Sequence, residues 1–183
     1  MKCIFVTGGN DGIGLALCRQ LVVDHGCRVF MGSRSLERGK KGLKTITDAH
    51  PEKANAIELV QIDVTDDTSV AAAFEVVKSK GVKLYALVNN AGVGFNAPGN
   101  VLTTNFYGPK RVSEAFVPLV TDRIVNVSSG AASMWLRNQD DVTKSLFSSA
   151  DTTWEELNAA VQKLAPSASM GGYGLSKAGL TAY

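Results

Sequence analysis

The chain has 183 residues, enough for one domain with a sizeable core. Its hydrophobic fraction of 45%, charged fraction of 20% and net charge of +2 are those of an ordinary folded protein, and no basic run calls for nucleic acid or a membrane surface. The apolar stretches are far too short to span a membrane, and Met1 leads straight into a strand-like segment, which leaves no room for a signal peptide.

Residues 3–6, Cys-Ile-Phe-Val, read as a buried strand. The turn Thr7-Gly8-Gly9-Asn10-Asp11-Gly12-Ile13-Gly14 follows, and Leu15, Leu17, Cys18, Leu21 and Val22 then recur with helical spacing up to a stop at Gly26. A second strand is predicted over 27–31, and a polar helix over 36–50 that Pro51 keeps from extending. A third strand covers 57–62, with Asp63 at its end; a helix covers 68–79 and a fourth strand 84–88. Residues 101–120 read as a long helix kinked at Pro109, and 123–127 as a fifth strand.

Strands alternating with helices predict an α/β fold: a doubly wound parallel sheet with helices on both faces. Ligands of such sheets bind at the carboxyl ends of the strands. The polar motifs cluster there: residues 7–14, Ser33-Arg34, Asp63-Val64, residues 89–92 and Ser128-Ser129. Residues 130–172 break the rhythm. Trp154, Leu157, Val161 and Leu164 make one apolar helical face, with Thr152 and Glu155 as a capping box. The expectation is a single domain over 1–183 that carries one inserted helix within 131–171 on Ser/Ala/Gly-rich loops. Cys3, Cys18 and Cys27 lie in apolar contexts and read as reduced core thiols of a cytoplasmic protein. His25 and His50 stand alone, and no Cys/His cluster has metal spacing.

Gly8, Gly12 and Gly14 allow a tight turn and close approach of a phosphate to a helix start that offers free N–H groups. A glycine-rich turn with no ligand is the plain alternative; a strand before and a helix after favour a dinucleotide. An acidic residue at the end of the second strand would bind the ribose 2′-hydroxyl of NAD. Ser33 stands there instead, followed by Arg34 and, one turn on, Arg38, and two guanidinium groups suit the 2′-phosphate of NADP(H). Asp11, in the glycine turn, argues against that preference, because its charge would face the same phosphate.

Tyr173-Gly-Leu-Ser-Lys177 puts a phenol and an ammonium on one helix face. A nearby cation favours the phenolate, which makes the phenol a better acid near neutrality. Taken together, Thr7-Gly8-x-x-x-Gly12-x-Gly14, Asn89-Asn90-Ala91-Gly92, Asn105 in Thr104-Asn105-Phe106, Ser129 in Val125-Asn126-Val127-Ser128-Ser129, and Tyr173-x-x-x-Lys177 resemble the short-chain dehydrogenase/reductase family across nearly the whole chain. The closest likeness is to monomeric NADPH-dependent carbonyl reductases. It is carried by Thr7-Gly8-Gly9-Asn10, Arg34, Arg38 and the long gap between Ser129 and Tyr173, where an extra helix covers a surface that other members use to oligomerise.

The resemblance implies a Rossmann-like fold, NADP(H) as cofactor, and reduction of a ketone, aldehyde or quinone by a monomer acting on a small molecule. Tyr173 would be the proton donor; Lys177 would tune it and hold the nicotinamide ribose. Ser129 would hydrogen-bond the substrate oxygen, with Ser128 an adjacent competitor, and Asn105 would position Lys177 through water. Gly8, Asn10, Gly12, Ile13, Gly14, Arg34, Arg38, Asp63, Val64, Asn90, Ala91, Gly92, Tyr173 and Lys177 would hold the cofactor. Two regions depart from the family. Only twelve residues separate Gly92 from Asn105, and only ten follow Tyr173. Family members continue well beyond that point, so the resemblance implies a C-terminally truncated chain with its final strands missing. It also implies an open edge after the fifth strand and a terminal helix prone to fraying. The competing readings are a dinucleotide-binding module without turnover, and a nucleotide-sugar epimerase relative, disfavoured by its different glycine spacing.

Overall fold

The computed structural model describes residues 1–96, 100–168 and 172–183. The sequence reads as one domain; the described residues cluster into two compact units, 1–91 with 111–125 and 92–110 with 126–183.

The first unit holds β1 (Cys3–Val6), α1 (Gly12–Val23), β2 (Arg28–Ser33), α2 (Leu36–Ala49), β3 (Ile57–Gln61), α3 (Asp67–Ser79), β4 (Leu84–Asn89) and nearly all of β5 (Val120–Asn126). The strand order is β3-β2-β1-β4-β5. β1 runs parallel to β2 and β4, and β2 parallel to β3. The chain therefore winds outward from β1 to β3 and returns to lay β4 on the other side of β1. That reversal creates a crevice at the carboxyl ends of β1 and β4, the usual ligand position in a Rossmann-like sheet.

Central strands covered on both faces need continuous apolar runs, and all four residues of β1 are buried. Phe5 and Phe116 anchor this core with ring centroids 4.8 Å apart, and Phe74 meets Phe116 edge-on at 5.7 Å. Cys3, Cys18 and Cys27 are free and buried, as expected. β2 extends further than predicted because Gly32 and Ser33 pair with Val60 and Gln61 of β3. Ser33 is consequently inside the strand and 1% exposed.

The predicted helix over 101–120 is interrupted twice. Thr103–Tyr107 form a π-helical turn, α4 covers Gly108–Phe116, and Val117–Leu119 form a 3₁₀ turn that feeds β5 at Val120. Pro109 and Pro118 lack the N–H that a regular helix needs, so the backbone widens before one and tightens around the other. β5 lies at the edge of the sheet, as expected, with Ile124 and Val125 exposed.

The second unit corrects two expectations. Residues 130–164 form three helices, not one: α5 (Gly130–Arg137), α6 (Asp141–Ser148) and α7 (Trp154–Leu164). Each starts at its own side-chain cap, with Ser129, Asp140 and Thr153 accepting from Ala131, Thr143 and Glu156 amides. The capping box is Thr153/Glu156, one residue later than predicted, because the Thr152 hydroxyl donates to the Leu146 carbonyl instead. Residues 169–171, the end of the expected insert, and 97–99 of the shortened loop lie outside the described residues.

The second correction concerns α8 (Tyr173–Ala182), expected to fray. Residues 174–180 are all buried among α5, α6, α7 and the π-helical turn. Small residues let these neighbours close in: a side chain at Gly174 would meet Trp135 Cβ at 2.7 Å, and one at Gly179 the Phe106 ring at 2.9 Å. No helix of the described residues is long and apolar enough to cross a membrane.

Truncating Phe116 to alanine removes the ring that joins Phe5 to Phe74. The expected cost is about 3–5 kcal/mol, read as a lowered denaturation midpoint in urea.

Candidate active site

At the end of β1, the Thr7 hydroxyl accepts the amides of Asn90 and Ala91, both at 3.0 Å, and donates to the Val88 carbonyl at 3.3 Å. The Asn90 side chain returns the contact, donating to the carbonyls of Thr7 and Gly8 at 3.0 and 3.1 Å. The ends of β1 and β4 are thus tied together. Gly14 fits beneath them only without a side chain: a Cβ there would lie 2.2 Å from the Gly8 carbonyl oxygen and 2.4 Å from Asn90 Nδ2. Gly8 and Gly12 take φ of +64° and +51°, which other residues reach only with strain.

The turn delivers α1 with its first amides outward. Leu15 bonds the Asp11 carbonyl and Gly12 bonds the Asp11 carboxylate. The amides of Ile13 and Gly14 have no acceptor within the helix. A Cβ at Gly12 would meet nothing within 4 Å, and the Ile13 side chain is 74% exposed. Open space, outward amides and an exposed apolar side chain fit a dinucleotide with its pyrophosphate at a helix N-terminus.

The remaining candidates in this unit lie on the same rim of strand ends. Asp63 accepts the backbone amide and hydroxyl of Thr65 through one oxygen. Val64 is 7% exposed, and its carbonyl is held by Arg111, which also pairs with Asp67. Arg34 and Arg38 are exposed at the start of α2. Arg38 faces Asp11 at 3.6 Å. Ser33 is withdrawn from that rim, its hydroxyl donating to the Ser35 carbonyl.

The second unit carries the other group, starting from Gly92. Lys177 is 6% exposed, and its ammonium donates to the Val127 carbonyl at 2.8 Å. Burial pushes its pKa down from the ordinary value of 10.5. One turn earlier, Tyr173 is half-buried with its ring edge-on to Phe95 at 6.5 Å, and its hydroxyl bonds no described residue. The Ser128 hydroxyl is engaged by α8, at the Lys177 carbonyl and Thr181. Ser129 caps α5 by accepting the Ala131 amide, so its own proton stays available for donation. Asn105 is fully buried in the π-helical turn, a common setting for functional residues. Its amide accepts from Val93 N–H and donates to the Val93 carbonyl and the Ser176 hydroxyl, at 2.8, 2.9 and 3.3 Å. A groove of about 280 Å³ opens beside Gly174, lined by Ala131, Met134, Trp135 and Leu164 among others.

Sequence reasoning missed Phe95 and Ser176. An aromatic in a Gly/Asn loop carries no signal of its own, whereas Ser176, inside the Tyr173–Lys177 stretch, was open to question. Among the described residues no acidic, histidine or cysteine cluster can hold a metal.

A family model for short chain dehydrogenases matches residues 2–140. The chain belongs to the short-chain dehydrogenase family. This bears out the resemblance carried by the motifs; the family is one of oxidoreductases that use a nicotinamide dinucleotide. The chain is 33% identical to (+)-neomenthol dehydrogenase of Arabidopsis thaliana, over 82% of this chain and 61% of that protein. It is 30% identical to the NADPH carbonyl reductase 1 of Pongo abelii, over 99% and 72% respectively. Among solved structures, menthone neomenthol reductase from Mentha piperita superposes with a TM-score of 0.89 at 29% identity, covering 100% of this chain and 83% of that one. The NADPH-bound carbonyl reductase from chicken fatty liver gives 0.65 at 26% identity, covering 98% and 67%. The chain spans 61% of the neomenthol dehydrogenase and 57% of (−)-isopiperitenone reductase of Mentha piperita.

The buried Lys177 carries a pH signature. Its pKa is lower folded than unfolded, so between the two values the unfolded state binds more protons and stability rises with pH. The melting temperature of the wild type relative to Lys177→Met is expected to climb as pH rises toward 10.5, the ordinary value. A flat difference would mean that Lys177 is not desolvated.

Proposed function

We propose that this chain works as an NADPH-dependent carbonyl reductase, taking a small ketone, aldehyde or quinone to the alcohol. The observation that carries the reading is the pair on α8: a half-buried Tyr173 whose hydroxyl bonds no described residue, one turn from the buried cation of Lys177. The cofactor, when bound, supplies a hydride to the carbonyl carbon.

Everything else falls to side chains and backbone. The amides of Ile13 and Gly14 would hold the pyrophosphate, Arg34 and Arg38 the 2′-phosphate, and Gly8, Asn10, Gly12, Asp63, Val64, Asn90, Ala91 and Gly92 would line the rest of the cofactor site. Tyr173 gives its proton to the carbonyl oxygen as that oxygen gains charge. Lys177 favours the phenolate left behind, and its field is strong because little water screens it. Ser129 donates to the same oxygen; its free proton supports it over Ser128. Asn105 is a positioning residue, tying the Val93 loop to α8 through Ser176. Asn105 would also position Lys177 through water. The groove beside Gly174 suits an apolar substrate body. α7 packs on α8, which supports the monomer reading.

NADPH consumption with an aromatic aldehyde or a quinone tests this directly. Turnover is expected for the wild type and a loss of about 10²–10⁴-fold for Tyr173→Phe; retained turnover would remove Tyr173 as the acid. Tighter binding of NADPH than NADH is expected in the same preparation. NADPH binding without turnover by the wild type would favour the binding-module reading.

A further inference from the structure

Asp11 divides its carboxylate between two tasks. One oxygen, Oδ1, caps α1 by accepting the Gly12 amide at 2.8 Å. The other, Oδ2, lies 3.6 Å from the Arg38 guanidinium. The encounter is built into the backbone. α2 packs on the glycine turn at Gly42, where a Cβ would come 2.6 Å from the Asn10 carbonyl oxygen. Arg38 lies one turn earlier on α2, on the same face, so the helix that touches Asn10 carries Arg38 to Asp11. The Ser35 hydroxyl fixes this end of α2 by accepting the Arg38 amide at 3.2 Å. Both charged side chains remain mostly exposed, 66% and 77%, so a ligand can reach them.

We propose that Asp11 sets cofactor selectivity by competing with the 2′-phosphate for Arg38. This rests on the NADP(H) reading above. A phosphate seated on Arg38 must displace the carboxylate or lie beside a like charge, and Asp11 is held there by its cap. NADH brings no group to Arg38 and meets neither cost. The pair thus narrows the margin by which NADPH is preferred, leaving Arg34 as the guanidinium with no described counter-ion.

Asp11→Asn separates the two tasks, because asparagine caps a helix as well as aspartate but carries no charge. Calorimetric titration of the full chain with NADPH and NADH is expected to show NADPH binding about fivefold tighter in Asp11→Asn, with NADH unchanged within about twofold. In an Arg38→Ala background the gain should vanish. Asp11→Ser, a second uncharged cap, repeats the measurement should the asparagine variant lose structure by circular dichroism. NADPH affinity unmoved by both substitutions, or a gain that survives Arg38→Ala, overturns the competition. Wild-type chain that binds neither dinucleotide, or NADPH affinity indifferent to Arg34→Ala and Arg38→Ala alike, overturns the NADP(H) reading itself.

Discussion

The Thr7 hydroxyl is the contact on which the glycine turn of the first unit depends. It is 1% exposed and takes part in three hydrogen bonds, two accepted from β4's end and one donated back to it. An aliphatic residue there would leave two amides short of an acceptor, in a place where water cannot replace it. Because those bonds fix Asn90, and Asn90 grips the carbonyls of Thr7 and Gly8, the space left at Gly14 excludes even a Cβ. The turn needs its glycines for two different reasons: backbone angle at Gly8 and Gly12, absence of a side chain at Gly14.

The second unit solves a different problem, the placing of a cation in a low-dielectric interior. Isolated burial of an ammonium is costly. Lys177 is satisfied by a backbone carbonyl, not a carboxylate. A carboxylate would lower the cost further but would also quench the cation's field at Tyr173; a carbonyl supplies a hydrogen bond and leaves the charge intact. The same short segment does the rest of the fastening: Val127 binds Lys177, Ser128 binds the α8 backbone, and Ser129 starts α5. Three consecutive residues of the second unit therefore fasten α8 and start α5, the two helices that bear the candidate chemistry.

What was legible in the sequence was what local chemistry dictates. β1 was read to the residue, because a run of β-formers ends at a glycine turn and nothing else competes. The glycine turn and the Tyr173/Lys177 spacing were legible for the same reason. Pairing between strands is not local, so the extension of β2 through Ser33 was missed. The single helix expected between Ser129 and Tyr173 became three because apolar periodicity finds only the strongest face; Ser129, Asp140 and Thr153 marked the starts, but caps are common in loops too. The burial of α8 ran against an argument from chain position, and packing by glycine and alanine explains why: small residues carry little hydrophobic signal yet permit the closest contacts.

The Asp11–Arg38 contact shows how one residue can be read correctly in kind and incompletely in effect. From sequence, Asp11 is a negative charge near a phosphate site, and the sign of its influence is clear. Its reach is not, because Arg38 belongs to a different element and meets it only through the packing of Gly42 on Asn10. Its carboxylate caps α1 through one oxygen and faces Arg38 through the other. Asp11 therefore acts on the helix end and on the guanidinium at once. A 2′-phosphate would meet an Arg38 whose positive charge is partly spoken for, and Asp11 cannot move away from that guanidinium without uncapping α1.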